Sequence, residues 1–189
     1  VLRGKRRFDS VRVVATSIAA KADLVVHAES LGPYLAVETF PAESCEVVEG
    51  MIGPGLRRLL RFTTETRNVG GADMILGTPS ADDPRFEYQA CHGHYHFLRF
   101  ATYRLLDRDG ATAAAGGKVS FCLEDVHQWS ADAEGPRYDC DFQGIQRGWS
   151  DVYDSGLPGQ WVDVTGVPPG NYTLEVTVDP DGLLDESDL

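Results

Sequence analysis

Apolar and polar residues alternate along this chain in short runs, broken by Gly, Pro, Asn and Asp clusters, and no run holds a helical period for long. A period of two is the signature of half-buried strands. The pattern predicts strands over residues 11–17, 59–67, 97–106, 118–123, 160–165 and 172–178. In the second of these, Leu60, Phe62, Thr64 and Thr66 share one face and Arg61, Thr63, Glu65 and Arg67 the other. Asp107–Gly110 and Pro169–Gly170 supply turns. Residues 70–88 and 125–159 match no regular period, and irregular stretches of that length in a compact chain are usually functional. The expectation is a mainly β protein: a small β-sandwich-like domain with long functional loops and little helix.

Composition narrows the partners. The 189 residues carry a net charge of −12, the wrong sign for a nucleic-acid surface or for docking on anionic lipid. Such a field attracts cations, although it also serves plain solubility. Lysine occurs three times, at Lys5, Lys21 and Lys118, against fourteen arginines. An enzyme that oxidises lysine gains from displaying few, and a genome rich in Arg codons explains the same count. The cysteines are Cys45, Cys91, Cys122 and Cys140, with no CxxC spacing. Four separated cysteines fit two disulfides in an oxidising compartment, so a secreted or extracytoplasmic protein is expected. The chain opens at Val1, consistent with a processed N-terminus, and no apolar run approaches the length of a membrane span.

The strongest chemical feature is Cys91-His92-Gly93-His94-Tyr95-His96. On a strand, alternate residues share a face, so the three imidazoles would project together. Neutral imidazoles suit copper, zinc or nickel better than magnesium or calcium, and three protein ligands leave coordination positions open for chemistry. The ligands alone leave copper and zinc undecided. His27 and His127 stand alone and read as structural; His127 is the better candidate to support a reaction.

The histidine segment resembles the copper-binding motif of the lysyl oxidase family. The resemblance continues in order through Tyr103–Asp107, through Gly117-Lys118-Val119-Ser120-Phe121-Cys122-Leu123-Glu124-Asp125, through Asp151-Val152-Tyr153, and through Gln160–Thr165 and Pro169-Gly170-Asn171-Tyr172. It covers residue 22 to the end. It implies a catalytic domain over residues 22–189, preceded by an arm or linker at 1–21. It also implies copper on His92, His94 and His96, and a lysine tyrosylquinone cofactor made from Lys118 and Tyr153. The implied reaction is oxidative deamination of a primary amine, small or on a protein lysine. Dioxygen is consumed, and aldehyde, ammonia and hydrogen peroxide are released. Asp151 matches the family's proposed general base. Lys118 would have to lose its proton to attack the oxidised tyrosine, which burial or a nearby cation favours.

By the same resemblance, Asp23, Leu24, Glu186 and Asp188 at the two ends would share a calcium ion. Cys91 would pair with Cys140, leaving Cys45 with Cys122. Two rival readings keep the metal without the oxidation: a non-catalytic extracellular metal-binding module, and an immature precursor that carries zinc.

Overall fold

The computed structural model describes residues 20–116 and 119–187. The expected strand over residues 11–17, and most of the arm, lie outside them. Among the described residues, fourteen strands form several antiparallel sheets with one helical turn of each kind, so the mainly β expectation holds.

One sheet joins β1 (Leu24–Val26), β4 (Thr64–Asn68), β12 (Trp149–Tyr153) and β10 (His127–Gln128) in that spatial order. A second joins β13 (Trp161–Asp163), β3 (Gly55–Arg61) and β2 (Tyr34–Phe40). The third centres on β7 (His94–Leu106), with β14 (Thr173–Val178) and β6 (Phe86–Gln89) as neighbours and with β8 (Thr112–Ala115) and β9 (Val119–Phe121) also paired to β7. A two-stranded ribbon, β5 (Met74–Gly77) with β11 (Gln143–Ile145), completes the fold.

The alternating run at 59–67 is two strands, not one. The chain leaves β3 at Arg61 and re-enters a different sheet at Thr64, so both faces of this segment are largely buried. The stretches expected to be irregular contain β5 and β6, and β10 to β12. Their strands are two to five residues long, too short for a period to register.

Phe62, Phe97, Phe100, Tyr103 and Leu123 form the centre of the main core. Phe62 meets Tyr103 edge-on at 4.7 Å, the arrangement that aromatic quadrupoles favour. A satellite cluster of Phe40, Ile52, Leu59 and Trp161 takes Val47 and Met51 against it. That packing seats the short helix α1 (Cys45–Val48) beside the start of β7. Arg61 crosses this region: it forks onto Glu38 at 2.5 and 2.9 Å, lies 4.7 Å over Trp161, and donates to the Ser155 carbonyl at 2.6 Å. A buried, bidentate arginine therefore fixes the segment after β12, which walls the cavity described next.

Two disulfides close the fold, and their pairing corrects the expectation. Cys45 bonds Cys91 and Cys122 bonds Cys140, with Cα separations of 6.0 and 5.2 Å, within the span a disulfide bridges. The satellite cluster carries Cys45 on α1 to the turn that holds Cys91. Gln143, whose amide donates to the Tyr95 carbonyl while its oxygen accepts from the Leu123 N–H, holds the Cys140 segment beside Cys122.

Candidate active site

His94 and His96 are two residues apart on β7, so the pleat points both to one side. Their Nε2 atoms are 3.0 Å apart. His92 precedes the strand, in a turn where Gly93 takes φ +76°, a left-handed conformation that glycine adopts without strain. The strand expected to carry all three therefore carries two, and the glycine turn swings the third round. His92 is set back, with its ring centre 6.0 Å from His94 and 5.0 Å from His96.

Metal–imidazole bonds are about 2.0–2.1 Å, so two such nitrogens at right angles on one ion stand about 2.9 Å apart. The 3.0 Å of His94 and His96 matches that edge. Burial, followed by the neighbouring His92, lowers the His94 pKa and keeps the ring neutral, as a ligand must be. His92 Nε2 is buried without a hydrogen-bond partner. These features fit a transition-metal ion held by imidazole. Among the described residues, the group of three metal-capable side chains whose donor atoms all lie within 4.8 Å of one another is Cys122, Glu124 and Cys140, so His92 would have to move inward to share an ion with His94 and His96. Both sulfurs of the Cys122, Glu124 and Cys140 group are spent in a disulfide, so it offers one carboxylate only.

The three histidines line a cavity of about 180 Å³ together with Tyr153, Phe121, Glu124 and the wall at Leu157 and Pro158. Residues 61 positions apart in sequence thus meet in one chamber. The Tyr153 ring stacks on Phe121 at 3.8 Å, and its hydroxyl donates to the Cys122 carbonyl. Burial, followed by the charges of Asp151 and Glu124, raises the Tyr153 pKa well above its ordinary value, so the phenol is held neutral. Lys118 lies outside the described residues; in sequence it immediately precedes β9, whose Phe121 carries the tyrosine.

Asp151 is 1% exposed, and neither carboxylate oxygen has a hydrogen-bond partner among the described residues. Burial first, and Glu124 second, raise its pKa well above the ordinary value. Glu124 is raised too, by burial and then by Asp139 and Asp125. Two carboxyl groups that prefer to hold protons therefore flank the tyrosine, an arrangement suited to proton transfer.

The other two histidines sit elsewhere. His27 Nδ1–H and His127 Nδ1–H donate to the two oxygens of Glu65 at 3.2 and 3.3 Å, where Arg67 (2.7 Å) and Ser150 (3.2 Å) also donate. Glu65 was not singled out from the sequence. Arg67 is its neighbour on β4, but His27, His127 and Ser150 come from three other strands or their flanks, and no local pattern announces the cluster.

At the chain ends, Ala22 bridges Glu186, the Leu24 N–H donates to Glu186 Oε2 at 2.7 Å, and the Lys21 ammonium donates to Asp185 at 2.6 Å. The ends meet as expected. Calcium takes six to eight oxygens, whereas the described residues place a lysine ammonium beside carboxylates already engaged. Of the other expected ligands, Asp23 lies beside β1, where its N–H donates to Asn68 Oδ1 at 3.2 Å, and Asp188 lies outside the described residues.

The family model described as lysyl oxidase matches residues 38–189. Lysyl oxidase homolog 3B of Danio rerio is 42% identical over 139 residues, covering 71% of this chain and 17% of that protein. Lysyl oxidase homolog 3 of Homo sapiens is 41% identical over 139 residues, covering 71% and 18% respectively. Lysyl oxidase homolog 2 of Gallus gallus is 35% identical over 198 residues, covering 98% of this chain and 25% of that protein. The chain thus spans a quarter or less of the length of these curated relatives. No helix among the described residues is long and apolar enough to cross a membrane.

Proposed function

This chain belongs to the lysyl oxidase family, and from that premise we propose that it is a copper-dependent amine oxidase acting outside the cytoplasm. The observation that carries the reading is the shared cavity of His92, His94, His96 and Tyr153. His92, His94 and His96 would hold copper, and Lys118 and Tyr153 would form the quinone. When bound, these groups supply electron exchange with dioxygen and an electron sink for the amine.

The chain's own residues do the rest. Phe121 fixes the plane of the Tyr153 ring, and the Cys122 carbonyl fixes its hydroxyl. Asp151, two residues before Tyr153 on the same face of β12 and with its pKa raised by burial, would serve as the general base for the substrate's α-carbon, because a raised pKa makes its carboxylate a stronger proton acceptor. Leu157 and Pro158 give the cavity one apolar wall, which lowers the local polarity and strengthens charge interactions beside it. The net charge of −12 draws protonated amines toward the protein, including the lysines of another protein.

Copper-loaded protein kept in air should change in intact mass and release, on digestion, one cross-linked peptide that contains Lys118 and Tyr153. Lys118→Arg and Tyr153→Phe should bind copper as the parent does and release no hydrogen peroxide when given a primary amine. Separate, unmodified peptides after copper and oxygen, or peroxide release by Lys118→Arg, would reject the cofactor assignment. The same peptide map on zinc-loaded protein should show no link.

A further inference from the structure

We propose that Glu49 supplies a fourth, carboxylate ligand to the ion held by His92, His94 and His96; the inference rests on the metal-binding reading above. Glu49 Oε2 and His92 Nε2 face each other at 3.6 Å. Both atoms are buried, and neither has a hydrogen-bond partner. Buried polar atoms rarely go unsatisfied, because desolvation is then uncompensated. A charge-assisted hydrogen bond between them would be about 2.7–2.9 Å long, so the gap is too wide for one. It suits two ligands of a single ion: at about 2.0–2.2 Å from the metal, donors 3.6 Å apart subtend about 120°.

The fold explains why Glu49 is there. Glu49 caps α1, and its N–H donates to the Cys45 carbonyl at 2.8 Å. The Cys45–Cys91 bridge ties that helix to the residue immediately before His92. Helix and histidine turn are thus one tethered unit, so His92 and Glu49 would close on the ion together from their set-back positions. His96 links the two sides. It lines the cavity of Tyr153 and also an adjoining one of about 230 Å³ lined by Glu49, Met51 and Glu87. Glu87 is the less suitable acid, because its carboxylate already accepts from the Gln89 amide at 2.8 Å. Three imidazoles and one carboxylate remain a donor set for copper or zinc.

The alternative is a plain ion pair between Glu49 and a protonated His92, and the two predict opposite signs. A ligand's loss weakens the metal; loss of an ion-pair partner frees His92 and leaves copper binding equal or tighter. Copper(II) is titrated into metal-free full chain against a competing chelator, with electron paramagnetic resonance of the bound ion. Glu49→Gln should bind ten- to a hundredfold more weakly, with a changed copper hyperfine splitting. Equal or tighter binding with an unchanged spectrum overturns the proposal. Should Glu49→Gln fail to fold, parent protein labelled with carbon-13 at the glutamate carboxyl answers the same question. A ligating carboxyl gives a carbon–copper coupling in electron–nuclear double resonance, and absence of that coupling overturns the proposal. His96→Ala separates the two levels. If it loses copper while Glu49→Gln does not, only Glu49 fails; if it keeps copper, the histidine centre fails as well.

Discussion

Two buried carboxylates one register step apart on the same pair of strands lead opposite lives. Glu65 on β4 pairs across to Val152, and Asp151 on β12 pairs across to Thr66. Successive side chains alternate faces, so the two acids project to opposite sides of one sheet. On the Glu65 side, burial opposes ionisation, but Arg67, His127 and Ser150 outweigh it and hold the carboxyl down at about 2. On the Asp151 side burial outweighs the nearby Tyr153 hydroxyl and Val152 N–H, neither of which reaches hydrogen-bonding geometry, and the pKa rises. A satisfied buried charge is a structural part. An orphaned one costs stability and persists where chemistry uses it. The difference separates a face whose buried acid is fully partnered from the face that carries Tyr153 to its cavity.

The largest effect expected from that contrast is on turnover. Asp151→Asn should lower amine-dependent peroxide release by about 10²–10⁴-fold, the usual worth of a general base, while folded Glu65→Gln stays within a few-fold of the parent. Equal losses in both variants would erase the distinction. Stability should move the other way. Glu65→Gln should lose about 3 kcal/mol at pH 7 by urea unfolding, because it leaves the Arg67 guanidinium without its counter-charge and two imidazole N–H groups without an anionic acceptor. Asp151→Asn, by the same measurement, should gain about 1 kcal/mol, because a neutral amide escapes the cost of ionising a buried acid.

The finest test is the pH dependence of those two differences. Glu65 has a lower pKa folded than its ordinary 4.5. Its contribution is present above about 4.5 and is lost as pH falls toward 2, so the penalty of Glu65→Gln should shrink on acidification. Asp151 has a higher pKa folded than its ordinary 3.8. The parent is unpenalised below that value and loses stability as pH rises through the folded pKa, so the gain of Asp151→Asn should grow with pH. Parallel curves for the two variants would mean that both acids share one environment.

The sequence carries the run of histidines and the tyrosine that share the cavity. The HxHxH spacing places donors by short-range geometry, and the segments around Lys118 and Tyr153 carry the family resemblance directly. What was missed depends on distant packing. His92 leaves the strand because Gly93 turns the chain, and nothing in an alternating pattern says where a strand begins. The disulfide partners were exchanged because Cys45 reaches Cys91 only after Val47 and Met51 seat α1 on the satellite cluster. Glu65 gathers His27 and His127 from opposite edges of a four-stranded sheet.

The amino-acid order alone determined the strand-rich class, the family and the close-set run of three imidazoles, because each depends on side-chain identity and on spacing within a few residues. Only the tertiary structure decided which cysteines bond, which of two buried acids is satisfied, and which carboxylate faces His92. Those outcomes depend on distances between segments tens of residues apart, and such distances are set by how the sheets and α1 pack, not by the chain's local pattern.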